Sequence, residues 1–466
     1  MSNHPNTENF REHLANVTDS GKRIWIYPKI IKGAFYRYRT YLSWFLLAFF
    51  FLAPFIKIGG YPLLLLNVFE RKFVIFGQPF WPQDFHVFVF LALTLLVFIV
   101  LFTVVFGRVW CGWACPQTIF MEMVFRKIEN WIEGNANKQK KLDAMPWNRE
   151  KILKKGAKHF VFLLISFIIA HTFFVYLIGY EELWAMISGP LSENYIALVG
   201  LVIFTIVFYL VFAKLREIVC IIICPYGRLQ GVMLDPNSMV VAYDEVRGEP
   251  RGKRKRGEDQ SDKGDCVDCG LCVDVCPTGI DIRNGTQLEC VNCTACMDAC
   301  DSVMEKINLP KGLVRIDSKN NIQNRVGFKF TPRIIAYSIV MLILFGSSVG
   351  ILATRTSVEA NMFRVPGMTY TEAADGKVSN LYNLSLVNKT FEDMDFQIEL
   401  KTKNATLIRA DKDTILESNN EEKKVILIEM EQKHIHDNEV PMEMDLYIEG
   451  KLVKTFNTKF LAPVRE

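Results

Sequence analysis

Five apolar blocks interrupt an otherwise mixed chain, near Tyr41–Ile58, Phe85–Phe106, Phe160–Ile178, Tyr195–Ala213 and Ile334–Ala353. A helix rising 1.5 Å per residue needs roughly 20 residues to cross about 30 Å of hydrocarbon, so the blocks predict five transmembrane helices. From about Met368 onward the pattern changes. The segments "VSNLYNLSLVNKT", "DFQIELKTK", "KKVILIEMEQ", "MEMDLYIEG" and "KLVKTFNTKFL" alternate apolar and polar residues between Asn, Asp and Lys clusters. A period of two predicts short strands, and their spacing predicts an immunoglobulin-like β-sandwich of about a hundred residues.

Charge orients the spans. Lys22, Arg23, Lys29, Lys32, Arg37 and Arg39 precede the first, and the connection after the second carries eleven basic residues from Arg108 to Lys158. Gly179–Asn194 has none, only Glu181, Glu182 and Glu193. The positive-inside bias predicts a cytoplasmic N-terminus, cytoplasmic 107–159 and 214–333 segments, and a tail outside after five crossings. The polar first forty residues hold no apolar leader core, so no cleavable signal is expected. A net charge of +4 is too small to point to nucleic acid. The run "RGEPRGKRKRG", Arg247 to Gly257, reads as a solvated linker that could also rest on anionic headgroups or dock an acidic electron donor.

The twelve cysteines fall into three groups, which suits ligand chemistry better than a disulfide framework. Between spans four and five stand "CVDCGLCVDVCP" and "CVNCTACMDAC", each C-x2-C-x2-C-x3-C. In bacterial two-cluster ferredoxins three close cysteines reach one cubane and the fourth crosses to the other. That pattern assigns Cys266, Cys269, Cys272 and Cys300 to one 4Fe–4S cluster and Cys290, Cys293, Cys296 and Cys276 to a second. Zinc is the alternative for such pairs. Asp301 stands after Cys300 where proline is usual, which puts the local turn in question. Two neighbouring clusters make an electron wire, and a wire implies a donor and an acceptor.

The other cysteines close two helical hairpins, in "GRVWCGWACPQ" and "KLREIVCIIICPYG". Each motif has a basic residue three or four positions before its first Cys and a proline after its second, which suggests a duplicated hairpin. Read as continuous helix, Cys111 and Cys115 share one face, as do Cys220 and Cys224. Pro116 and Pro225 then free the carbonyls of Gly112 and Ile221. Pseudo-symmetric hairpins would converge on a four-thiol site at the cytoplasmic membrane edge. Inert core thiols, disulfides, zinc and a further cluster are alternatives, but soft thiolates without histidine favour copper(I), the preferred reading. Secondary candidates are His159 and Glu122 near the thiols, His171 within the third span, and the thioethers of Met121, Met123 and Met233. In the sandwich, Met442, Met444, His434 and His436 could collect copper.

Together, "CGWACPQT", "CPYGRLQG", the double cubane insert, five spans and the sandwich resemble the cbb3-type cytochrome oxidase accessory proteins of the CcoG/RdxA/FixG family. The resemblance covers nearly the whole chain. It implies a multi-pass bacterial inner-membrane protein that assists oxidase assembly and reduces copper(II) to copper(I) for the oxidase copper centre. It also implies that Cys111, Cys115, Cys220 and Cys224 handle copper, and that the eight ferredoxin cysteines hold two 4Fe–4S clusters. Expected partners are the bilayer, oxidase assembly factors or copper chaperones and transporters, and an unidentified electron donor. The organisation expected is a cytoplasmic segment 1–40, a four-helix transmembrane region 41–230, a dicluster ferredoxin domain with basic linker 231–333, a fifth helix 334–353 and a periplasmic immunoglobulin-like domain 354–466. A rival is a pure relay similar to the quinol-dehydrogenase subunits of periplasmic nitrate reductase systems, though a fifth span and an outer sandwich argue against it. A non-catalytic copper chaperone or scaffold is the third possibility.

Overall fold

The computed structural model describes the chain apart from residues 1–15, 19, 21, 69–71, 81–83, 254–262, 355, 373–375, 391, 410–413, 419 and 464–466. Most of the basic core of the expected linker, 254–257, therefore lies outside the described residues. Contacts divide the chain into two units, Met1–Ile56 with His86–Ser348, and Lys57–Phe85 with Val349–Glu466.

Among the described residues five helices are long and apolar enough to cross a membrane: Ala34–Phe55, Phe85–Phe106, Arg149–Ile178, Ser192–Leu215 and Pro332–Ala353. The first stops short of Ile58, because Pro54 opens a final 3₁₀ turn and Lys57–Ile58 pairs instead with Tyr61–Pro62. The third starts at Arg149 rather than Phe160. Asn148 caps it by accepting from the Lys151 N–H (2.8 Å), and Glu150 pairs with Lys154, so a basic stretch continues the helix into the polar region.

In the first unit, a buried cluster including Phe120, Phe125, Phe162, Ile169 and Phe212 packs the segment after the first CxxxCP motif against the third and fourth helices. The ferredoxin insert is closed by a two-stranded ribbon, Val240–Tyr243 antiparallel to Val314–Asp317. Its core holds Val241, Ile280, Ile282, Met297, Met304 and Leu313. At Asp301 the backbone makes no turn. The helix Ala295–Lys306 runs straight through it, and its carboxylate accepts the Gly312 N–H (2.8 Å).

The second unit is the sandwich. One sheet orders Ala405–Arg409, Glu421–Glu431, Lys377–Asn388 and Val358–Arg364; the other orders Ile415–Leu416, Met394–Leu400, Glu439–Ile448 and Lys451–Leu461. All five expected strands are present, and the alternation is the burial pattern: Tyr382, Leu384 and Leu386 face the core from one strand. Met442 and Met444 are also buried core residues, while His434 ends a 3₁₀ turn. This corrects the expectation of a copper-collecting group here, since the two thioethers are packed away from any surface ion.

The segment 57–85 was not foreseen as structured. It forms strands Leu64–Asn67, Lys72–Ile75 and Gln78–Phe80 and joins the sandwich unit, so that domain is more than 354–466. Buried Lys389 holds it, pairing with Asp84 (2.5 Å) and Glu359 (2.8 Å). Lys389→Met takes the ammonium away from two carboxylates, Asp84 and Glu359, so the unit should lose about 3–5 kcal/mol. Thermal melts of the purified full chain should show that loss, and Asp84→Asn added to Lys389→Met should recover part of it.

Candidate redox site

The two cysteine runs fold alike. Asp268 and Asn292, between first and second cysteines, have φ of 53° and 52°; Gly270 and Thr294, after the second, have 67° and 64°. Left-handed residues at matching positions wrap each loop around a hollow, and Asn, Asp and Gly tolerate that conformation best. A cavity of about 380 Å³ is lined by Cys266, Cys269, Cys272 and Cys300, together with Tyr243 and Arg283. A second, of about 340 Å³, is lined by Cys276, Cys290, Cys293 and Cys296, with Cys272 at its edge. Each hollow thus gathers three cysteines of one run and the last of the other. Burial pushes the Cys272, Cys290 and Cys300 thiols up to about 12, so they become thiolates when cationic iron compensates them. Among the described residues no three His, Cys, Asp or Glu side chains close on a single-ion position. Four thiols around each hollow, spread wider than one zinc ion at 2.3 Å requires, fit a cubane.

The paired membrane thiols depart from the expected geometry. The short helix Val109–Trp113 ends before Cys115, and the π-helical turn Val219–Ile223 ends before Cys224. Cys115 (φ −62°, ψ 125°) and Cys224 (φ −69°, ψ 117°) are extended N-caps, and Pro116 and Pro225 each begin a new helix. The pair is thus not stacked on one helical face, and the prolines start helices instead of fraying them. A pre-proline residue is driven out of the helical region, and proline is at home at the first helical position. The duplication survives in detail: the Cys115 N–H reaches Trp110 O (2.9 Å) and the Cys224 N–H reaches Val219 O (2.8 Å), each five residues back.

Both motifs meet the ferredoxin insert. Cys111 is buried in a cluster with Val291 and Cys293, and Tyr226 packs on it. Gly112 lies so close that a Cβ there would stand 2.5 Å from the Val291 carbonyl oxygen and 2.8 Å from the Cys293 Cα. Buried Arg108 donates to the carbonyls of Leu288, Cys290 (3.5 Å) and Cys220 (3.4 Å), tying the two motifs to the second cysteine loop. Cys220 lines a cavity of about 320 Å³ with Met121, Glu122, Arg216, Thr278 and Val291. Burial pushes Cys111 up to about 11, opposed by Arg108 and reinforced by Cys115 and Cys224; Cys220 rises to about 12 through burial, then Cys115 and Cys111. The four thiols therefore share one field. Thiols held protonated are poor nucleophiles and wait for a cation.

A buried ion network anchors this region. Arg216, at φ 50°, grips Glu129 with both nitrogens (2.7 and 3.1 Å), and Lys158 reaches the same carboxylate (3.2 Å). Burial raises the Glu129 carboxyl, but Arg216, then Lys158 and Arg126, overcome it and bring it down to about 2. A depressed carboxyl adds stability above its unfolded value near 4.5, lost as pH falls toward 2. Glu129→Gln leaves buried Arg216 without its carboxylate and Lys158 with Glu133 alone (2.8 Å), and should cost about 3–5 kcal/mol. In melts against pH, its deficit should be constant above pH ~5 and shrink below ~4.5.

Of the secondary candidates, Glu122 and Met121 do line the Cys220 cavity. Met123 lines a neighbouring one, and Met233 ends the helix Pro225–Met233. His159 instead bonds Tyr209 (2.8 Å), and His171 bonds the Phe167 carbonyl of its own helix (2.8 Å). Arg108, Gly112 and Arg216 received no role from the pattern. The signal was the basic residue repeated before each first Cys.

Comparison with known proteins supplies three family matches: a 4Fe–4S dicluster domain over residues 215–319, a 4Fe–4S binding domain over 88–138, and the IG-like fold at the C-terminus of FixG over 348–463. Protein RdxB of Cereibacter sphaeroides is 34% identical over 395 residues, spanning 81% of this chain and 82% of that protein. Nitrogen fixation protein FixG of Rhizobium meliloti is 32% identical over 432 residues, with 83% and 81% covered. Protein RdxA of Cereibacter sphaeroides is 32% identical over 392 residues, with 80% and 81% covered. A crystal structure of a FixG-related protein from Vibrio parahaemolyticus aligns with 24% of this chain and 100% of its own, at 11% identity and a TM-score of 0.21, too low to carry an argument.

Proposed function

This chain belongs to the FixG/RdxA family of membrane iron–sulfur proteins, and from that premise we propose that it carries electrons through two clusters to the membrane thiols, where copper(II) is the substrate. One observation carries the reading: Cys111 packs against Cys293, and Arg108 binds both motifs to the Cys290 loop. The clusters supply one-electron chemistry when bound. The chain's own residues do the rest. Cys266, Cys269, Cys272 and Cys300 hold one cluster and Cys276, Cys290, Cys293 and Cys296 the other, while Arg108 and Gly112 keep the outlet in contact with the second. Cys111, Cys115, Cys220 and Cys224 take up copper(II), which accepts one electron and leaves as copper(I), a soft ion suited to thiolates. In the cell this serves the copper centre of a cbb3-type oxidase at the bacterial inner membrane, with the ferredoxin insert cytoplasmic and the sandwich periplasmic. The Lys389–Asp84 pair requires the 57–85 segment and the sandwich to share a side, which four crossings between them allow, and the basic connections assign the opposite side to the cytoplasm.

A second reading is that the membrane thiols hold a further cluster. The 4Fe–4S binding family match over 88–138 includes Cys111 and Cys115, and the four sulfurs are not drawn in to a single-ion position. Iron, sulfide and copper analysis separates the two. Copper as substrate predicts about eight iron per chain, unchanged in Cys220→Ala/Cys224→Ala, with copper uptake lost. A third cluster predicts about twelve, falling to about eight in that variant.

A further inference from the structure

The electron-transfer reading leaves the donor unnamed. An apolar hollow of about 500 Å³ opens between the first and third long helices and the segment after the first CxxxCP motif. Trp44, Phe51, Phe120 and Ile165 form its apolar walls, and Thr40, Ser43 and Lys127 line it too. Met123 belongs both to this hollow and to a much smaller charged cavity of about 50 Å³. That second cavity is lined by Arg39, Glu122, Asp298 and Cys293, one of the cysteines facing the second cluster hollow. Arg39 is only 5% exposed, yet its Nη2 has no hydrogen-bond partner among the described residues. A buried donor without an acceptor costs roughly 1–3 kcal/mol, and a ligand oxygen would relieve it.

We propose that these neighbouring cavities bind an isoprenoid quinol, its tail between Trp44 and Phe51 and its ring at Met123, with ring oxygens toward Arg39 and Lys127. The size suits a ligand of that class, which needs an apolar body and a few fixed polar groups. Lys127 Nζ stands 5.6 Å from the Tyr36 ring, one helical turn from Arg39, at the polar end of the hollow. A phospholipid phosphate there would meet Lys29, Arg39 and Arg126 but also Glu122 and Asp298, whereas a neutral hydroxyl tolerates both signs. Oxidation of the quinol gives the quinone, two electrons and two protons. The two electrons match the capacity of two one-electron 4Fe–4S clusters, one of which Cys293 would help hold, and the two protons leave to water by way of the charged cavity.

This site rests on the electron-transfer reading but is tested without turnover. The full chain in lipid nanodiscs is photolabelled with an azido-quinone of intermediate tail length and digested. Label is expected in peptides from residues 40–51 and 120–128. Ala48→Trp, which fills the apolar hollow, should abolish it, and Arg39→Gln should weaken quinone binding about tenfold. Unchanged visible absorbance of the clusters certifies that both variants fold. Label elsewhere, label indifferent to Ala48→Trp, or label displaced by phosphatidylglycerol but not by quinol overturns the proposal. If binding fails while dithionite-reduced protein still reduces copper(II), only the donor assignment falls. If binding holds and copper is untouched, the copper reading falls alone.

Discussion

Gly112→Ala should yield a protein that inserts normally but carries about half the acid-labile sulfide of its parent. The added Cβ would meet the Val291 carbonyl oxygen at 2.5 Å, the Cys293 Cα at 2.8 Å and the Asn292 carbonyl carbon at 2.9 Å. All three are backbone atoms, so no side chain can swing aside. Either the membrane motif lifts away or the 291–293 loop is displaced and takes Cys293 off its hollow. The cavity lined by Cys266, Cys269, Cys272 and Cys300 draws only Cys300 from the second cysteine run, out of the helix Ala295–Lys306 beyond the displaced loop, and should still load. Gly156→Ala is the matched control. It lies in the helix Arg149–Ile178 with nothing within 4 Å of a new Cβ, and should be neutral or stabilise by up to about 1 kcal/mol. Full sulfide in Gly112→Ala would mean that the contact does not govern the second quartet.

Arg108→Gln should be nearly as damaging, by a different route. The guanidinium is buried and serves carbonyls of Cys220, Leu288 and Cys290, three places brought together only by folding. Hydrogen bonds to a charged group contribute about 1.5–3 kcal/mol, and a shortened amide cannot span all three. A loss of about 2–3 kcal/mol is expected in thermal melts, with Arg108→Lys recovering little because an ammonium lacks the planar fork. The thiols report the same change independently. Arg108 opposes the burial that holds Cys111 up at about 11, so its removal sends that thiol higher and lowers its thiolate fraction. Alkylation of Cys111 in metal-free protein at pH 8 should slow several-fold. An unchanged rate would show that the cation does not act on the thiol.

Much of this was legible along the chain, for a physical reason. The crossed quartets follow from local spacing, since three cysteines within seven residues can reach one cubane only by wrapping it. The five sandwich strands follow from alternation, and Tyr382, Leu384 and Leu386 are buried where the period of two puts them. What escaped depends on partners far off in sequence. Arg216 binds Glu129, Arg108 binds Cys290, and Lys389 binds Asp84, and no periodicity encodes such pairs. The segment 57–85 escaped because "YPLLLLN" does not alternate, so its strands carry no signature of one buried face. At the CxxxCP motifs the helical reading extrapolated one residue too far: the proline that seemed to end a helix begins the next, and the second Cys is the break.

The most direct test mixes dithionite-reduced, desalted protein with copper(II) in a stopped-flow cell, following cluster absorbance alongside a copper(I)-specific chelator. The cluster signal should reoxidise as copper(I) appears, one ion per electron, and Cys111→Ser/Cys115→Ser/Cys220→Ser/Cys224→Ser should slow both at least about tenfold while keeping its two ferredoxin clusters. Equal rates in parent and quadruple variant would contradict an electron outlet at the membrane thiols.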